Sequence, residues 1–114
     1  MQPFHPSTSR RLYRAISAAA AAQARAEFAS ERANTAASFQ PFEHPAHHRA
    51  AQTTNASRQT RISADITRQL ATRAAWTTGE SADIDTAAAE DAANQARRHA
   101  ARAVSLAARA MKQE

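Results

Sequence analysis

Alanine sets the main pattern along the chain. Between Arg10 and Ser38 it recurs at Ala15, Ala19, Ala22, Ala26, Ala29, Ala33 and Ala36, and the same alternation of four- and three-residue steps returns at Ala89, Ala93, Ala96, Ala100, Ala103, Ala107 and Ala110. Such steps keep one helical face turned toward a supercoiled neighbour, so each series predicts a helix with a heptad packing seam. A seam of methyl groups lets two helices approach more closely than leucine allows, while burying less area. The competing account of the same residues is alanine filling a solvated helix for its propensity alone.

Boundary residues divide the chain. Ser7, Thr8 and Ser9 offer N-caps, and neither proline nor glycine interrupts the stretch that follows, which predicts a first helix over about 10–38. Pro41 and Pro45 end it, and residues 39–54, with His44, His47 and His48, read as a linker. A second helix over about 56–77 should start near Asn55 or Ser57 and stop by Gly79, the one glycine, placed as a C-cap. Within it Ile62, Ile66 and Leu70 recur at i, i+4 and i+8 with Trp76 close in projection, the one ordinary apolar stripe and the best core candidate. A third helix over about 82–112 follows Thr77 and Glu80 in capping-box spacing, with Ser81 as an alternative cap. Its carboxylates (Glu80, Asp83, Asp85, Glu90, Asp91) come early and its cations (Arg97, Arg98, Arg102, Arg109, Lys112) late, the order that the helix macrodipole favours.

The expected architecture is therefore all-α: a basic alanine-rich helix over 1–38, a linker over 39–54, and a helical hairpin or bent helical pair over 55–114, packed like a coiled coil and extended in outline. With Ala19 and Ala26 at heptad position a, Arg11, Arg25 and Arg32 fall at g; in the third helix g holds Asp85, Ala92, His99 and Leu106. An antiparallel pairing of Ala26 with Ala93 would set Arg32 near Asp85 and Ile16 near Val104, whereas a simple up-down-up bundle makes the first and third helices parallel. Periodicity leaves both open.

Composition narrows the function. Ile, Leu, Val and Phe together supply 12 of 114 residues against 33 alanines, too few large side chains for a conventional core. With no cysteine there is no disulfide or thiolate metal site, and a single glycine excludes the phosphate-binding and dinucleotide loops. No nucleophile with a plausible base and no paired carboxylates in a cleft are visible, so the reading is non-enzymatic, with no catalytic residues, no cofactor and no small-molecule substrate. Glu43, His44, His47 and His48 form the only cluster with metal-ligand chemistry. A proline-punctuated linker gives them no rigid support, and no metal is expected there.

Charge points outward. The formal net charge is +5 and arginine outnumbers lysine 14 to 1. Arg11, Arg14, Arg25 and Arg32 project as one stripe on the first helix, and Arg61 and Arg68 repeat it on the second, so these six are the candidate contacts for an anionic partner. A solvated face that keeps an alanine-rich chain soluble is the competing account. No apolar run is long enough to span a bilayer, and the reading is cytoplasmic. Met1–Ala26, with arginines and serines but no acidic residue, supports a mitochondrial or plastid alternative. The function read from these features is a helical assembly or adaptor protein that packs through its alanine seams against partner subunits or itself. The alternative is a basic helical accessory protein that binds RNA or DNA.

Overall fold

The computed structural model describes residues 6–112 and consists of three helices, α1 (Pro6–Ser38), α2 (Pro45–Ala75) and α3 (Gly79–Met111). They run up, down and up, and each packs on the other two in one bundle. Contacts fix the directions. Arg11 near the start of α1 meets Glu90 near the start of α3, which makes those two helices parallel. Ser30 meets Thr54, Arg61 meets Glu27, and Arg49 reaches the carbonyl of Arg109, which runs α2 antiparallel to both. The antiparallel register that would join Arg32 to Asp85 does not form; the short connections between consecutive helices force each to reverse.

The bundle is a rod of 61 × 16 × 15 Å. Its accessible surface of 7229 Å² exceeds the roughly 6,100 Å² of a compact protein of this mass.

Both alanine seams face inward. Ala15, Ala19, Ala22, Ala26, Ala29 and Ala33 of α1 and Ala89, Ala93, Ala96, Ala100, Ala103, Ala107 and Ala110 of α3 are all buried. Ala36 departs from the expectation: it is only half-buried, and Ala37 takes the inner position. The helix ends one residue later, and the last step is four residues. At the other ends the phase continues through Thr8 and Leu12 in α1 and through Ala82 and Thr86 in α3.

Helix α2 contributes a third seam of the same spacing, through Ala46, Ala50, Thr53, Ser57, Thr60, Ala64, Thr67, Ala71 and Ala74. Threonine stands here at three positions, Thr53, Thr60 and Thr67, where the other helices mostly use alanine. The side chains of Thr53, Thr60, Thr67 and Thr86 are the largest that are fully buried. Each hydroxyl donates to the carbonyl four residues earlier, of Arg49, Ala56, Ser63 and Ala82 at 2.7–2.9 Å. Among the described residues no buried side-chain polar atom is left without a partner.

This third seam displaces the expected core stripe. Ile62 and Ile66 are exposed, Leu70 is half-buried, and Trp76 is 80% exposed. The reason is geometric: steps of four advance about 40° per step around a helix, so the isoleucines drift away from a 3.5-residue seam, and their volume exceeds what methyl-lined neighbours accommodate.

Helix ends differ from expectation for similarly local reasons. Helix α2 begins at Pro45, not near Asn55 or Ser57, so the expected linker shrinks to residues 39–44. Pro45 occupies the first turn, where its missing N–H is no loss, and Nδ1 of His44 accepts from the Ala46 N–H at 3.0 Å as N-cap. Helix α1 also begins at a proline, Pro6, placing Ser7, Thr8 and Ser9 inside it. The expected capping box is not formed: Thr78 is the N-cap of α3 without a side-chain bond, and Thr77 donates instead to the Ala74 carbonyl at the end of α2.

Gly79 is not the C-cap of α2, which ends at Ala75 with Trp76 as cap; it opens α3 at φ +69°. A methyl group added at Gly79 would meet nothing within 4 Å, so an alanine there suffers backbone strain alone. Gly79→Ala is accordingly expected to cost about 1 kcal/mol in urea denaturation, and an unchanged midpoint would mean that the turn relaxes without strain.

Candidate interaction surfaces of the rod

Because the seams are covered within the chain, everything that can meet a partner lies on the outside. The outer surface carries an unusual load. Of the fourteen Ile, Leu, Val, Met, Phe, Tyr and Trp residues with described side chains, only Leu12 and Leu106 are buried, Leu70 and Met111 are partly buried, and ten are exposed. Phe39 and Phe42 are 81% and 85% exposed on the loop between α1 and α2, and Tyr13 is 73% exposed on α1. Tyr13, Ile16 and Trp76 border a shallow groove of about 330 Å³ between α1 and α2, floored by Leu12 and Ala71. A core of alanine and threonine has no room for these side chains, which explains where they are placed though not why the chain has them.

The six arginines singled out from the sequence separate into two groups. Arg11 makes two hydrogen bonds to Glu90, 3.1 Å from Nε and 2.5 Å from Nη2, joining a g position of α1 to α3. That bonding holds the Glu90 carboxyl below its usual range and raises the Arg11 guanidinium, with partial burial opposing each shift. Arg61 lies 3.5 Å from Glu27, and Arg68 pairs with Asp65 one turn away. Arg32 stacks over the Phe28 ring at 5.6 Å. Arg14 and Arg25 have no carboxylate partner among the described residues. The stripe is thus partly occupied in holding helices together.

Helix direction sorts the remaining charge. Among the described residues, the half of the rod nearest the α1–α2 loop gathers Arg25 and Arg32, Arg49, Arg58 and Arg61, and Arg97, Arg98, Arg102, Arg109 and Lys112, against Glu27, Glu31 and Glu43. The opposite half holds five arginines and six carboxylates, five of these in the first half of α3. Ten cations against three carboxylates make this half strongly positive, while five arginines against six carboxylates leave the other slightly negative. Sequence reasoning saw the sorting within α3 but could not see that α2, running the other way, reinforces it.

The histidines serve the connection between α1 and α2. His44 caps α2, Nε2 of His47 donates to the Gln40 carbonyl at 3.0 Å, and the His47 ring packs 5.7 Å from that of Phe42. No three His, Cys, Asp or Glu side chains are grouped for metal binding among the described residues. His99 is half-buried on α3, whereas His5 lies outside the described residues, as does the start of the acid-poor N-terminal stretch. No helix among those described is long and apolar enough to cross a membrane. Comparison with protein-family models, with curated proteins and with solved structures finds no match to this chain.

Proposed function

We propose that the chain is a non-enzymatic assembly or adaptor protein: a rigid helical rod that docks on partner subunits through its outer surface. One observation carries this reading. The side chains able to bury the most area lie outside, while alanine and threonine fill the core. An exposed aromatic ring loses roughly 150–250 Å² to a partner, so Trp76, Tyr13, Phe39 and Phe42 supply contact area of the kind that dominates interface energetics. Since the alanine seams are satisfied internally, they hold the rod in shape, and docking falls to these outer residues. A cytoplasmic setting is part of the same proposal.

The test is a variant carrying Tyr13→Gln, Ile62→Gln, Ile66→Gln and Trp76→Gln. Exposed positions should shift stability by only about 0.5 kcal/mol each, so the variant stays folded by circular dichroism. In extract from the source cells the wild type should run in a larger complex and the variant as the free rod of 12.3 kDa. A free rod in both cases, or the same complex in both, defeats the reading.

A second reading has its own observation in the basic half, where ten cations face three carboxylates. That half suits the phosphate backbone of RNA or DNA, bound without reading sequence. A complex dissolved by nuclease and by salt would decide in its favour.

A further inference from the structure

The parallel contact of α1 with α3 leaves a groove of about 430 Å³ floored by alanine, with Arg11 and Arg14 on one bank and Glu90, Asn94 and Arg97 on the other. Alanine keeps this floor recessed, since longer side chains at Ala15, Ala18 and Ala93 would fill the space between the two banks. Charge in the groove is unevenly committed. Arg11 and Glu90 neutralise each other through two hydrogen bonds, whereas Arg14 and Arg97 have no carboxylate partner among the described residues. Two uncommitted guanidiniums from different helices and one side-chain amide therefore face a common space.

We propose that this groove binds a phosphate group, gripped by Arg14 and Arg97 from opposite banks and by the Asn94 amide N–H. Guanidinium forks match the oxygens of phosphate in geometry as well as charge, which a lone surface arginine does not achieve. Glu90 sets the affinity from within the site. Its carboxylate repels the incoming oxyanion and also holds Arg11, which would otherwise be a third cationic donor. The groove therefore has a built-in antagonist whose removal changes binding in a defined direction. The assignment does not depend on whether partner proteins cover the outer apolar residues, and the phosphate can belong to a nucleic-acid backbone or to a small phosphorylated molecule.

Sodium pyrophosphate is the first probe, titrated at constant ionic strength while the Asn94 amide and arginine Nε–H resonances are followed by NMR. A labelled DNA duplex is the second, added as a competitor. The wild type should show a saturable shift of these resonances, weakened roughly three-fold or more in Arg14→Gln and in Arg97→Gln and tightened by a similar factor in Glu90→Gln. Displacement of pyrophosphate by the duplex would assign the phosphate to nucleic acid, and failure to displace would assign it to a small molecule. A shift that does not saturate, that chloride reproduces, that survives both arginine changes, or that weakens in Glu90→Gln would overturn the site. Circular dichroism confirms that each variant retains its helices, because Arg14, Asn94 and Arg97 are exposed and Glu90 is half-exposed.

Discussion

Leucine in place of Ala26 or Ala100 should lower the stability of the rod by roughly 1–3 kcal/mol, the usual cost of forcing extra methylenes into a filled interior. Both residues are 0% exposed, and each stands in a seam whose neighbours above and below are also buried alanines. A leucine side chain there cannot rotate to solvent without leaving the helical rotamers, so the helices must separate along more than one turn. Separation forfeits close contacts at neighbouring layers as well, which places the expected cost toward the upper end of that range. The control is the same change at Ala20 or Ala101, both exposed, where it should be nearly neutral. Thermal melts followed by circular dichroism read the difference directly. Equal midpoints for inner and outer variants would mean that the seams are not the packing surface.

The threonines of α2 lead to an expectation of opposite sign. Replacing Thr53, Thr60 and Thr67 together by valine keeps shape and branching but exchanges three buried hydroxyls for methyl groups. Each hydroxyl donates to a carbonyl four residues back that already accepts the helical N–H, so its loss strands no acceptor. The apolar gain should then dominate at about 0.5–1 kcal/mol per site, or roughly 2 kcal/mol for the triple variant, raising the melting temperature by something near 10 °C. Guanidinium titration of wild type and variant measures it. A clear loss of stability would show that the hydroxyl bonds contribute more than the methyl groups that replace them.

The same threonines mark the limit of what periodicity revealed. Thr53, Thr60 and Thr67 are spaced by seven, and with Ala46, Ala50, Ser57, Ala64, Ala71 and Ala74 they form a heptad face as regular as the two alanine series. It was hidden because small polar residues do not register as core formers, whereas Ile62, Ile66 and Leu70 do. The choice between these faces was energetic, since the three helices had to agree on one core size and two of them offered mostly methyl groups. Proline gave a related ambiguity. In Glu43–Pro45 it starts a helix instead of prolonging a linker, and the deciding partner is the His44 cap, whose role the residue type does not announce.

What the sequence determined by itself is local: three long helices, their order, and the inward face of α1 and α3. Those follow from helix propensity, from the absence of interior glycine or proline, and from a repeat that one helix carries alone. Tertiary structure decided the remainder. It turned the α2 isoleucines outward, made α1 and α3 parallel, committed Arg11 to Glu90, and gathered ten cations into one half of the rod. Each of these depends on how the helices are directed and sized against one another, and that relation is not a property of any single segment.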